Sequence, residues 1–203
     1  MARDLYILEY TGGRLHIPTI STKESVGLIK QAKKKGLHVT CSVSINNLTL
    51  TDDVLESFDT NYKLMPPLRT PQDVKALKKG LKEGTIDMVT SDHNPIDIEN
   101  KKIEFDHAKY GSIGLESCFG ALQKATDLET AIQALTQQSV FNISQSSITK
   151  GEKATITLFD PSLQWEFEKE HIIATSKNAA LLSQPLLGKA YGIVNNNKLV
   201  IND

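Results

Sequence analysis

The chain has 203 residues, a formal net charge of -1, and 39% hydrophobic against 23% charged residues, the composition of a folded globular protein rather than a disordered one. The near balance of 23 Lys+Arg and 24 Asp+Glu, with no basic stripe interleaved with aromatics, argues against nucleic acid as a partner. No apolar run approaches the ~18 residues a bilayer requires and Met1-Ala2-Arg3-Asp4 opens no signal peptide, so a soluble, cytoplasmic protein without membrane contact is expected.

In chain order, Asp4 to Tyr10 reads as the end of a helix closed by Gly12-Gly13, and Arg14 to Ile20 alternates as a strand does. Ser21-Thr22-Lys23-Glu24 sets a capping hydroxyl three residues before a carboxylate. Val26, Leu28, Ile29 and Ala32 follow at helical spacing up to Gly36, and Lys33-Lys34-Lys35 reads as a solvated helix end. His38 to Val43 is a short strand, Thr51-Asp52-Asp53 caps a brief helix, and Pro66-Pro67 forces an extended connection. Thr70-Pro71-Gln72-Asp73 opens a helix whose apolar face is Val74, Leu77 and Leu81. Ile86 to Val89 then forms a short buried strand.

Strands alternating with helices point to a parallel α/β arrangement, because parallel strands need crossover connections. About three units are visible, fewer than a complete eight-unit barrel of roughly 250 residues contains. Gly114 to about Asn142 reads as helical. Beyond Lys150-Gly151 the pattern turns to strands at Ala154 to Phe159 and Trp165 to Phe167. A terminal hairpin follows, with Asn195-Asn196-Asn197 between Tyr191 to Val194 and Leu199 to Ile201. The expected organisation is a partial barrel over 1–147 and a small β subdomain over 148–203. Cys41 and Cys118, far apart and outside any CxxC, read as small buried side chains.

In a parallel barrel the working residues lie at the C-terminal ends of strands, here Thr19 to Thr22, Ser44 to Asn47 and Thr90 to Pro95. Those places fall within a longer ordered series. It runs from Leu15-His16-Ile17-Pro18-Thr19-Ile20-Ser21-Thr22-Lys23-Glu24-Ser25 through Gly36-Leu37-His38-Val39-Thr40, Leu48-Thr49-Leu50-Thr51 and Pro66-Pro67-Leu68-Arg69. Gly84-Thr85-Ile86-Asp87, Ser91-Asp92-His93-Asn94-Pro95, Gly111-Ser112-Ile113-Gly114-Leu115-Glu116 and Lys150-Gly151-Glu152-Lys153-Ala154 to Pro161 complete it. Taken together the series resembles the second half of dihydroorotase, in the amidohydrolase superfamily.

That resemblance implies the later part of a TIM-like (β/α)8 barrel with a small β appendage at the C-terminus. It also implies a zinc-dependent cyclic amidase of pyrimidine biosynthesis whose opening His-x-His metal strand lies upstream of Met1. By the same resemblance, Thr19 and Asn46 stand where metal-binding histidines are expected, Met65 replaces a substrate-contacting asparagine and Ile96 a substrate histidine. A hydroxyl and a neutral amide are poor zinc ligands. Asp92 is retained at the position that ligates metal and acts as general base on the attacking water, and Gly111 falls in the substrate loop. Beside these roles stand plainer ones: Asp92 as a strand-end carboxylate accepting backbone amides, and Gly111 and Gly114 as conformational glycines. Arg69 could bind an anion or pair with a carboxylate, and His93, His16 and His38 read as structural.

Two functions stay open. One is a noncatalytic dihydroorotase-like scaffold, for which the resemblance implies aspartate carbamoyltransferase as partner. The other is an active cyclic amidohydrolase whose upstream half supplies metal ligands. A third, a binding or oligomerising module without enzymatic ancestry, would leave the ordered resemblance to chance. Exposed sheet edges in a partial barrel lead to the expectation of a homo-oligomer.

Overall fold

The computed structural model describes residues 1–136 and 148–201. Helix α1 (Ala2–Thr11) closes at Gly12, whose φ of 70° lies in the left-handed region a Cβ disfavours. Strand β1 (Leu15–Ile17) is shorter than the expected Arg14 to Ile20, because the chain leaves the ladder and Thr19 adopts a φ of 45°. Helix α2 (Lys23–Lys34) is capped one residue later than expected: Thr22 Oγ1 accepts the Ser25 N–H at 3.1 Å. Ser21 instead receives Arg69 Nε at 3.3 Å. The lysine run is only partly solvated, since Lys33 pairs with Asp87 at 2.7 Å and Lys35 with Glu9 at 2.9 Å.

Strand β2 (Val39–Ser44) lies between β1 and strand β3 (Met88–Thr90), all three parallel, with Ile17 opposite Cys41 and Ser44 opposite Thr90. β3 begins two residues later than expected. Asp87 explains this: its carboxylate accepts the Cys41 N–H at 2.8 Å while its own N–H donates to the Cys41 carbonyl at 3.1 Å, replacing ladder bonds with a side-chain clasp. The stretch read as a β2 strand ending is a short helix, α3 (Ile45–Thr49), with Ser44 at its N-cap. Asp52–Ser57 forms the expected brief helix as a 3-10 turn, although Thr51 Oγ1 donates to Asp53 rather than capping it. Helix α4 (Pro71–Lys82) starts as expected, with a reciprocal Thr70–Asp73 capping box, and buries Val74, Leu77 and Leu81.

The expected helix over Gly114 to Asn142 is two helices, α5 (Cys118–Ala125) and α6 (Leu128–Thr136). Asp127 breaks it by accepting the Thr130 N–H at 3.0 Å. The part of that expectation beyond Thr136, and the proposed boundary at 147/148, lie outside the described residues. Both cysteines are free and buried, as expected, and burial pushes each thiol up to about 12.

A second, antiparallel sheet is formed by β4 (Ile156–Glu166), β5 (Pro185–Asn195) and β6 (Lys198–Ile201). β4 joins the two strands expected separately, crossing Pro161 where the register slips between Asp160 and Gln164, so the missing proline N–H costs no ladder bond. Asn196 and Asn197, at φ 49° and 60°, form the expected hairpin turn, while β5 extends back to Pro185. Phe119 of α5 meets Phe159 of β4 edge-on at 5.0 Å and Lys124 Nζ donates to the Pro185 carbonyl at 2.9 Å, so α5 is the seam between the two sheets.

Candidate functional site

The parallel strands deliver Thr19, Asn46 and Asp92 just beyond the C-terminal ends of β1, β2 and β3. The Thr19 N–H donates to Ser42 Oγ at 3.1 Å, which anchors its left-handed turn to β2. Asn46 is 1% exposed, and among the described residues neither its Nδ2 nor its Oδ1 has a hydrogen-bond partner. Neighbouring Asn47 is satisfied, donating to the Pro67 carbonyl at 3.0 Å. Thr90 Oγ1, at the end of β3, is likewise buried without a partner among the described residues. Buried amides and hydroxyls are ordinarily paired; besides these strand ends, Glu116 Oε2, Ser117 Oγ and Gln123 Oε1 at α5 also lack a partner among the described residues.

Asp92 has a φ of 48° and is half-buried, and burial pushes its carboxyl above the usual range. Among the described residues no hydrogen bond or ion pair reaches its carboxylate. The plainer expectation, a carboxylate satisfied by backbone amides, is therefore not met. The nearby amides of Gly114 and Leu115 go instead to His93 Nδ1, at 3.2 and 3.3 Å, which gives His93 the structural role expected of it and requires that nitrogen unprotonated.

Gly111 is buried, with its N–H on the Lys63 carbonyl at 3.0 Å. A Cβ at its φ of 140° would lie 2.6 Å from Asn94 Nδ2, and one on Gly114 would lie 2.4 Å from the Ser91 carbonyl oxygen. The close approaches these glycines permit are to the chain itself. Met65 is 58% exposed, and Ile96 is held by its backbone, the N–H donating to Asn178 Oδ1 at 3.1 Å. Arg69 has no carboxylate within ion-pair distance among the described residues. It lines a cleft of about 380 Å³ with Thr22, Lys23, Asp52, Gln72 and Asp73. His16 Nδ1 lies 2.9 Å from Thr40 Oγ1, as a structural histidine would.

A metal tests the donor set directly. Thr19, Asn46 and Asp92 supply a hydroxyl, an amide and one carboxylate, and among the described residues no group of three or more His, Cys, Asp and Glu side chains could hold a metal ion. Zinc takes imidazole, thiolate and carboxylate donors in a nearly complete tetrahedron, so these residues do not fit it.

Beside the site, residues 97–111 are held against the 58–63 segment by two buried lysines that sequence reading passed over, their charge suggesting surface positions. Lys63 Nζ donates to the Phe105 and Asp106 carbonyls at 2.7 and 2.6 Å, and Lys101 Nζ to the Thr60 carbonyl at 2.8 Å. Burial, opposed by Asp59 and aided by the Lys63 charge, lowers Lys101 from the ordinary 10.5 to about 8. Between these values the unfolded chain binds more protons than the folded one, so Lys101 makes stability rise with pH through that window. Urea midpoints from pH 7 to 10 are expected to show wild type gaining on Lys101→Met as pH rises; a pH-independent difference would refute this.

No family model matches the chain. Dihydroorotase from Geotalea daltonii is 36% identical over 207 residues, covering 98% of this chain and 49% of the relative, and other dihydroorotases match at 34–39%. L-Hydantoinase (dihydropyrimidinase) from Arthrobacter aurescens superposes with a TM-score of 0.86 at 21% identity over 98% of this chain and 47% of that one. An inactive dihydroorotase-like domain of a Chaetomium thermophilum CAD-like multifunctional protein gives 0.73 at 18%, over 100% of this chain and 55% of that one. At these identities the structures establish the fold alone, part of a TIM-like barrel. The chain spans about half the length of the dihydroorotases it matches. Over nearly the whole of its own length, the chain is dihydroorotase-like.

Proposed function

We propose that this chain is part of a noncatalytic dihydroorotase-like protein that serves pyrimidine biosynthesis in the cytoplasm as a scaffold, with aspartate carbamoyltransferase as its partner. The observation that carries the reading is Asn46. At a strand end where the family resemblance expects a zinc-binding imidazole, the chain buries a neutral amide with both polar atoms unpaired. Thr19 repeats the loss on the neighbouring strand. The partner rests on the resemblance alone. Self-association belongs to the same reading, supported by the exposed Tyr6 and Tyr10 on α1 and by the unpaired outer edges of β1 and β3 among the described residues.

A second reading, an active cyclic amidohydrolase, is favoured by Asp92: a half-buried carboxyl with raised proton affinity and no competing bond suits a general base. Dihydroorotate hydrolysis with added zinc separates the two readings. It is measured on this chain supplied with the part of its relatives that it lacks, with and without Asp92→Ala. No turnover by either protein is expected, with aspartate carbamoyltransferase retained on co-purification. Turnover abolished by the substitution would overturn the scaffold.

A further inference from the structure

We propose that Asn178 is a positioning residue: its side chain, contributed by the tail segment, holds the Asp92 loop in its left-handed conformation and so couples the second sheet's connection to the strand-end site. This goes beyond either reading of the site's chemistry and does not depend on which is right.

Asn178 is 5% exposed, lies in the connection between β4 and β5, and uses its whole amide on this one loop system. Its Oδ1 accepts the Ile96 N–H at 3.1 Å, and its Nδ2 donates to the Asn94 carbonyl at 3.1 Å and the Gly111 carbonyl at 3.2 Å. The Ser176 hydroxyl lies within reach of both Asn178 Oδ1 and the Ile96 carbonyl and donates its one hydrogen to either. The surrounding backbone joins in. The Ile113 N–H donates to the Asn178 carbonyl at 2.9 Å, the Ala180 N–H to Ser112 Oγ at 2.8 Å, and the Asn94 N–H to the Ser112 carbonyl at 2.8 Å.

These bonds fix the chain on the C-terminal side of Asp92, at Asn94 and Ile96. On the other side, β3 and the close Ser91–Gly114 approach fix it before Asp92. Between two fixed ends Asp92 is left at φ 48°, a left-handed conformation that residues with a Cβ adopt uncommonly and that its fixed neighbours impose. A side chain of another rotamer or length would not satisfy the 94, 96 and 111 backbone groups together. Asn178 is thus the element that makes the strain affordable and keeps the Asp92 carboxyl half-buried.

The test compares Gly with Ala at position 92, because only a position held left-handed favours Gly. Urea unfolding of Asp92→Gly and Asp92→Ala is measured in the wild-type and the Asn178→Ala backgrounds. With Asn178 present, the glycine variant is expected to have a folding constant roughly fivefold above the alanine variant. In the Asn178→Ala background the gap is expected to close or reverse, since glycine's extra unfolded-state freedom is then unopposed. A merely structural Asn178 would lower all stabilities while leaving the ratio intact, and that outcome would overturn the proposal. If Asn178→Ala does not fold, Asn178→Asp serves. It keeps the acceptor for Ile96 and loses both donors to Asn94 and Gly111; an unchanged ratio there refutes the proposal equally.

Discussion

Replacing Asn46 by leucine is expected to stabilise the protein by about 1–3 kcal/mol, the desolvation penalty of a buried amide that gains no bond in return. Polar-to-apolar changes at a fold's inner layer stabilise only where the polar group had no partner. Here both Nδ2 and Oδ1 lack one among the described residues at 1% exposure; leucine keeps asparagine's branching but is larger, and packing it beside the fully buried Ile45 and Leu48 offsets part of the gain and sets the low end of the range. The measurement is urea unfolding at pH 7, with and without added zinc. Stabilisation of Asn46→Leu, with wild type indifferent to zinc, supports a site that has left metal chemistry. A wild type stabilised by zinc and a leucine variant that is not would make Asn46 a working ligand, and the scaffold reading would fall.

Gly114→Ala is expected to destabilise by about 1–3 kcal/mol, the usual cost of overpacking. The clash is with the Ser91 carbonyl oxygen, at 2.4 Å from the new Cβ. A flexible side-chain tip could swing away, but a backbone oxygen moves only with its strand end. The same shift would strain the Gly114 N–H bond to His93 Nδ1, now 3.2 Å long. Thermal unfolding checks it, with Gly27→Ala as control: that glycine lies inside α2 with nothing within 4 Å of its would-be Cβ, so alanine there is expected to stabilise slightly. Equal effects of the two substitutions would contradict the packing account. Destabilisation would show that Gly114 makes room for the Ser91 backbone.

What was legible in the chain was whatever nearest neighbours decide. The Gly12 stop, the Thr70–Pro71–Asp73 start and the Asn196-Asn197 turn all depend on backbone preferences and bonds within a few residues. Where a local rule failed, a distant partner had intervened. The Ser21 cap yielded to Thr22 with Ser21 engaged by Arg69, and β3 began late because Asp87 clasps Cys41. The helix after β2 escaped notice because five residues carry too little periodicity, although Ser44 was a usable capping signal.

For the site the division is sharper. Residue identity alone determined that no imidazole stands at Thr19 or Asn46 and that a carboxylate stands at Asp92, and the ordered series across the chain carried the resemblance to dihydroorotase. Only the tertiary structure decided that, among the described residues, the Asn46 amide and the Asp92 carboxylate have no partner, and that Asn178, 84 residues from Asn94 and 67 from Gly111, bonds to both. The reason is that satisfaction of a buried polar group depends on what packing brings within 3 Å of it. For contacts this far apart along the chain, that is set by the docking of one sheet's connections onto the other, which no local pattern records.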